Sequence, residues 1–155
     1  MELRLDEEDI AILNLIQRNS RLTAREIAGI VRCPITTVFS KIKRMEKLCI
    51  IRDYRAVLDA KRLDYGTIAF ILATASYHTD SARAFVLNEI AKIPQVQELH
   101  TIAGDWDLLI KIREKDVASM GKAVLERLRL LKGLEKTHTC VVFETYKETT
   151  EIPIR

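Results

Sequence analysis

No stretch of this 155-residue chain approaches the ~20 consecutive apolar residues needed to cross a bilayer, so no membrane partner is expected. The N-terminus, Met-Glu-Leu-Arg-Leu-Asp-Glu-Glu-Asp, is acidic where a secretory signal would be basic and then apolar, which leads us to expect a cytoplasmic protein. Cysteine is scarce. Cys33, Cys49 and Cys140 are an odd number without metal-like spacing; they read as reduced, semi-buried small residues, and neither a metal site nor a cofactor is expected. Net charge is only +3, so the field of the whole molecule argues weakly for nucleic acid. What remains, 48% hydrophobic and 30% charged, suits a soluble globular chain of one domain or two small ones.

The distribution of charge says more than its sum. Between Arg32 and Arg55 seven cations face two acids, whereas the first nine residues hold five acids against one arginine. The basic segment overlaps a helical pattern from Cys33 to Ile51. Pro34 suits a first helical position, because its ring presets φ and its missing N–H is not needed there. Ile35, Val38, Ile42 and Met45 then recur at the spacing of one apolar face. The other face carries Thr36, Ser40, Lys43, Arg44 and Lys47, with Thr37 and Lys41 at its margin. Hydroxyls near the N-terminus and cations towards the C-terminus suit a helix in the major groove of double-stranded DNA, short groups at base edges and long cations at phosphates. Arg52 extends the cationic run. The plainer reading is the solvated face of a surface helix. Phe39 flanks the apolar stripe and is expected at the rim of the core rather than as a base-stacking wedge.

The preceding residues favour DNA. Thr23-Ala24-Arg25-Glu26 is a capping box, and Ile27, Ile30 and Val31 give its helix an apolar side that ends at Arg32-Cys33. A short helix, a tight turn and a cation-bearing helix form the helix-turn-helix arrangement. Upstream, Asp6 can cap a helix through Ile10, Ile12, Leu13, Leu15 and Ile16 that ends near Asn19-Ser20.

After Ile51 an extended segment, residues 52–65, is expected to act as linker and wing strand, with a turn at Gly66. Thr67 to Tyr77 is apolar on both faces of a strand: Ile68, Phe70 and Leu72 on one, Ala69, Ile71, Ala73 and Ala75 on the other. Thr79 or Asp80 caps a helix that stops at Pro94. Val96–Ala103 and Leu108–Ile112 read as a hairpin about Gly104-Asp105-Trp106-Asp107. Asp116 caps a second helix, ended by Gly133. Leu134–Tyr146 is a last strand, and residues 151–155 read as an edge strand. The expected fold class is therefore α+β: residues 1–51 a helix-turn-helix domain of winged type, residues 66–155 a ferredoxin-like β-α-β-β-α-β domain. The helices of such a domain cover one sheet face. The other, being apolar, predicts an obligate homodimer.

A helix-turn-helix joined to this second domain resembles the Lrp/AsnC, or feast/famine, transcription regulators. The resemblance rests on Leu5-Asp6 with Asp9, the run Thr37–Glu46, Gly66, Gly104-Asp105-Trp106-Asp107, Gly133-Leu134 and Thr137-His138-Thr139, in order along essentially the whole chain. The ending Lys-Glu-Thr-Thr-Glu-Ile-Pro-Ile-Arg is similar to that of archaeal members. The resemblance implies a sequence-specific DNA-binding regulator, not an enzyme, that senses an amino acid or similar effector. It also implies dimers that assemble to tetramers or octameric rings, with effectors held between dimers near the Gly-Asp-x-Asp turn. The chemistry is suitable: a zwitterion needs N–H donors for its carboxylate and a carboxylate for its ammonium. Gly104 permits close approach, Asp105 and Asp107 offer carboxylates, Trp106 can wall a pocket, and Thr137 and Thr139 offer hydroxyls. The plainer reading of the two aspartates is a tight turn. Two residues depart from the family pattern. Cys33 replaces a capping serine, at about 0.5–1 kcal/mol, and Cys49 replaces a glycine where φ > 0 is expected.

Two rival functions fit the same architecture. Siroheme decarboxylases resemble it, and His78, His100 and His138 are titratable, although no two are adjacent or share a helical face. An architectural protein that binds DNA without an effector would share every DNA-binding feature.

Overall fold

The computed structural model describes residues 4–77 and 79–155, so His78 lies outside the described residues. The chain divides into two compact units, one of Met1–Leu58 with Lys147–Arg155 and one of Asp59–Tyr146.

The first unit holds three helices, α1 (Glu7–Ile16), α2 (Ala24–Val31) and α3 (Ile35–Lys47). Both expected caps form. The Asp6 carboxylate accepts from Asp9 N–H at 2.8 Å while Asp9 accepts from Asp6 N–H at 3.0 Å, and Thr23 and Glu26 exchange the equivalent pair. Ile12, Leu13, Ile16, Ile27, Ala28, Val38 and Met45 close one core. Pro34 stands one position earlier than expected, as N-cap of α3 with ψ 143°, and no side chain caps that helix. Arg32 (φ 59°) and Cys49 (φ 55°) adopt the left-handed conformation that ends α2 and follows α3, the latter as its glycine-like position predicts. No wing strand forms: residues 52–59 belong to no helix or strand.

Residues 151–155 do not form the expected edge strand. Ile154 packs on the helical core, and the Gln17 amide holds the backbone of Ile152 from both sides, receiving its N–H at 2.9 Å and donating to its carbonyl at 3.0 Å. Pro153 has no N–H to give a ladder, and the Gln17 side chain satisfies the backbone group beside it instead.

The second unit is a four-stranded antiparallel sheet in the order β2-β3-β1-β4, from β1 (Thr67–Ala75), β2 (Val96–Thr101), β3 (Leu108–Glu114) and β4 (Leu134–Val141). Helix α4 (Asp80–Ala91) follows β1, and a helical stretch follows β3 as α5 (Val117–Met120), one π-helical turn Gly121–Leu125, and α6 (Glu126–Leu130). The π turn interrupts the single helix expected there, yet Met120, Val124 and Leu128 all stay buried. The last strand stops at Val141, short of Tyr146. Gly133, at φ 108°, must be glycine: a Cβ there would meet Val86 Cγ2 at 3.3 Å.

Ala69, Ile71 and Ala73 of β1 pair with Ile112, Ile110 and Leu108 of β3, and this face is buried with Val86, Ile90, Val124 and Leu128. The opposite face carries Phe70 and Leu72 beside Lys111 and Leu109, only half covered. Two cysteines depart from their expected burial: Cys49 and Cys140 are exposed.

Candidate DNA-binding face and ligand-binding turn

Helix α3 turns Val38 and Met45 inward because α1 and α2 supply the apolar groove that receives them. Its outer face presents Ile35, Thr36, Phe39, Ser40, Lys43 and Lys47, with Arg44 at one margin and half-buried Thr37 near the other. Arg52 is exposed just beyond the helix. Thr36, Ser40, Lys43, Lys47 and Arg52 thus lie in the open, as the pattern predicts.

Two of the proposed DNA cations are held by carboxylates at the start of α1. The Lys41 side chain is 13% exposed and its ammonium meets Asp6, Glu8 at 3.3 Å and Asp9 at 3.3 Å. Arg44 bonds Asp9, whose side chain is fully buried. Burial works against the Lys41 charge, but hydrogen bonds to Asp6, Glu8 and Asp9 outweigh it and hold its pKa above the usual lysine value. Lys41 therefore braces α3 to α1 and, largely buried, is not presented on the outer face as expected; Arg44 bonds Asp9 yet stays half exposed. In the sequence Asp6 reads only as a helix cap; in the structure Asp6, Glu8 and Asp9 also hold α3.

Phe39 departs from expectation as well. It is 57% exposed, not at the core rim, and Ile35, placed on the apolar stripe by spacing, is 49% exposed. Lys43 Nζ lies 5.8 Å from the Phe39 ring centroid and 2.9 Å from Glu46 Oε2. Glu46 also accepts from Tyr54 Oη at 3.0 Å. The Lys43 and Tyr54 hydrogen bonds hold the Glu46 carboxyl below its usual range; burial, and then Glu46, push the Tyr54 phenol up to about 12. The Ser40 hydroxyl donates to Thr37 O at 2.9 Å, so its proton is already used.

In the second unit, Gly104 has φ 128° and open space around it, Asp105 is exposed, and Asp107 pins the turn to the sheet. Asp107 N–H donates to Ala73 O at 3.0 Å, and its carboxylate accepts from Ala75 N–H at 2.8 Å. Trp106 packs on His138 at 6.0 Å between centroids, with Lys136 Nζ 5.4 Å from its ring. Thr137 and Thr139 pair with Ala73 and Ile71, hence lie on the helix-covered face, whereas His138 is on the open one. The structure thus gathers Gly104–Asp107 as one turn and sets the two threonines on the sheet face opposite the ring that Trp106 touches.

Sequence reasoning missed a cavity at the same end of the sheet. It has a volume of about 380 Å³, is open to solvent, and is lined by Tyr77, Thr79, Asp80 and Arg83. Among the described residues Tyr77 Oη is buried without a hydrogen-bond partner, and burial, then the Asp107 charge, raise its pKa. Arg83 reaches Thr101 Oγ1 at 3.5 Å. The available signal was an arginine one turn into α4, beside the residue that ends the β1 segment. His100 and His138 share the open sheet face but lie on its opposite edge strands, with β3 and β1 between them, and His100 is beside Glu98 at 3.4 Å. No group of three or more metal-ligating side chains that could hold an ion occurs among the described residues.

Residues 5–51 match the family model of a winged helix-turn-helix DNA-binding domain, and residues 68–152 match that of the Lrp/AsnC ligand binding domain. The chain is 32% identical to the HTH-type transcriptional regulator FL11 of Pyrococcus horikoshii over 155 residues, all of both chains. It is 29% identical to the leucine-responsive regulatory protein of Klebsiella pneumoniae over 97% of this chain and 92% of that one. A transcriptional regulator of Neisseria meningitidis, crystallised as an L-Met complex, superposes with a TM-score of 0.90 at 28% identity over 97% of each chain. An AsnC family regulator of Agrobacterium tumefaciens gives 0.92 at 23% identity over 96% of this chain and 97% of that one, a likeness of fold.

Proposed function

Because the chain belongs to the Lrp/AsnC family of transcriptional regulators, we propose that it reads a specific operator with α3 and alters that binding in response to an amino acid or a close analogue. It is a DNA-binding regulator with a ligand-binding domain. The observation that carries the finer reading is the outer face of α3, where Thr36, Lys43 and Lys47 stand free of the core beside exposed Arg52. The protein acts in the cytoplasm, without catalysis. It works as a homodimer through the half-covered sheet face of Phe70, Leu72 and Leu109, with further assembly to tetramers or octamers. A two-fold dimer presents its α3 helices to half-sites about one helical turn apart, or a multiple of that.

The effector seat is the turn Gly104–Asp107; Thr137 and Thr139, on the helix-covered sheet face away from Trp106, are left out of it. Asp105 is the carboxylate free to take an ammonium, and Asp107 holds the turn in shape. The neighbouring cavity adds the Arg83 guanidinium for a carboxylate and the unpartnered Tyr77 hydroxyl. The L-Met bound by the Neisseria relative supports an amino acid as ligand class. The test is a thermal-melt panel against the twenty amino acids at millimolar concentration. Ligand at 100 times its dissociation constant adds about 2.7 kcal/mol of stability. A shift from one or two amino acids, abolished in Asp105→Asn or Arg83→Ala, is the expected result. A flat panel beside tight, salt-sensitive DNA binding would replace the sensor with an effector-independent architectural protein.

A further inference from the structure

The fold of the first unit leaves two large apolar side chains of α3 unused. Val38 and Met45 fill the core, and Ile42 packs on it, but Ile35 and Phe39 are 49% and 57% exposed. Single exposed hydrophobics are ordinary. These two are four residues apart on one helix, hence neighbours on its surface, and they lie on the same face as Thr36, Ser40 and Lys43. Their position is that of groups that face base edges when such a helix enters the major groove. The polar candidate beside them is weakened, because the Ser40 proton is spent on Thr37 O at 2.9 Å. Lys43, 5.8 Å from the Phe39 ring centroid and paired with Glu46, flanks the ring, and Lys47 stands exposed one turn further on, the side of the helix from which cations reach phosphates. An apolar surface framed by cations complements one feature of duplex DNA: the C5-methyl of thymine, the apolar group that base pairs present in that groove. Wedge insertion between base steps is a minor-groove device and does not suit a helix seated in the major groove.

We propose that Phe39, with Ile35 beside it, reads thymine through its C5-methyl group, so that apolar contact sets the sequence preference at the middle of α3. The inference rests on the reading of α3 as the recognition helix. It makes Phe39 a specificity residue that contacts the base.

The test selects an operator from random duplexes with the full chain, then replaces each thymine in turn by deoxyuridine, which pairs alike and lacks only the methyl. The wild-type chain should lose about fourfold in affinity at one position per half-site, the transfer value of one buried methyl group. When both symmetry-related half-sites carry the change, the loss should be about fifteenfold. Phe39→Ala, in which no core side chain is removed, should bind the thymine and uracil duplexes equally at that position, and Phe39→Leu should recover part of the discrimination. Lys43→Ala and Lys47→Ala are measured alongside. If neither weakens binding, the placement of α3 fails, and the proposal with it. If they do, but no uracil costs affinity in the wild type, or Phe39→Ala keeps the full uracil penalty, the methyl readout alone is overturned. A Phe39→Ala loss confined to self-association, with DNA discrimination intact, overturns it in favour of a protein contact.

Discussion

Replacing Asp9 by alanine should cost the first unit far more than any other acidic substitution in α1. Its side chain is fully buried, bonded to Arg44, within 3.3 Å of Lys41 Nζ, and accepts Asp6 N–H at 3.0 Å. Removing one partner of a buried ion pair generally costs about 3–5 kcal/mol, because the charge left behind is uncompensated. Here Lys41 keeps Asp6 and Glu8, and the Arg44 side chain, 48% exposed, returns readily to water, so the lower end applies. The orphaned Asp6 N–H adds little because it sits at an exposed helix end. A loss of about 3 kcal/mol corresponds to an ~150-fold fall in protection from amide hydrogen exchange for peptides of α1 and α3. The control is Glu8→Ala, which removes one half-exposed partner of Lys41 at 3.3 Å and should cost under about 1 kcal/mol. Asp9→Asn, which keeps an acceptor but not the charge, should fall between them. Equal losses in Asp9→Ala and Glu8→Ala would refute the buried brace.

Lys41→Ala should lower the melting temperature of the first unit and leave the salt dependence of DNA binding in place, whereas Lys43→Ala should reduce the slope of log affinity against log salt by about one; filter-binding titrations across salt separate them. Gln17→Ala, or deletion of residues 151–155, should release the tail and lower exchange protection in α1, by about 1 kcal/mol for the two Gln17–Ile152 bonds, read by the same exchange experiment. Hydrogen bonds, Lys41 first for Asp6 and Thr23 for Glu26, hold those carboxyls below their usual pKa, so their contribution is present above about pH 4 and fades as pH falls through the depressed values; acid titration of helical circular dichroism should show this, and Asp6→Asn should blunt it. Absorbance titration should find Tyr54 ionising at about 12, and Glu46→Gln should lower it only in part, because burial, the larger cause, remains.

The helical core was legible because spacing alone places Val38, Ile42 and Met45, and because both N-terminal caps are written in the local sequence. Spacing gives an angle around a helix, not the identity of what stands opposite. Lys41 and Lys43 both read as cations for DNA in the sequence, yet one meets three carboxylates at the start of α1 and the other meets Glu46 and a ring. Nothing local in α3 reveals that Asp6, Glu8 and Asp9 lie over it, since the partners are more than thirty positions away. Ile35 was misplaced for a related reason: in the first turn of α3 the stripe has run past the groove that α1 and α2 supply.

The Gly104–Asp107 turn shows why the opposing readings of a sequence motif need not exclude each other. Asp107 is a turn-maker in the strict sense, its carboxylate spent on Ala75 N–H and its own N–H on Ala73 O. That use fixes the backbone of the loop to the end of β1, and a fixed loop is what makes the free groups beside it useful. Asp105 stays exposed, and Gly104, at φ 128° with open space where a side chain would stand, leaves its backbone open to approach. In the proposed effector seat, a carboxylate consumed by structure and a neighbouring carboxylate left exposed are the two halves of one preorganised arrangement. Substitutions at the two positions should therefore fail differently: Asp107→Ala by loosening the end of the hairpin, Asp105→Asn by losing ligand with the hairpin intact.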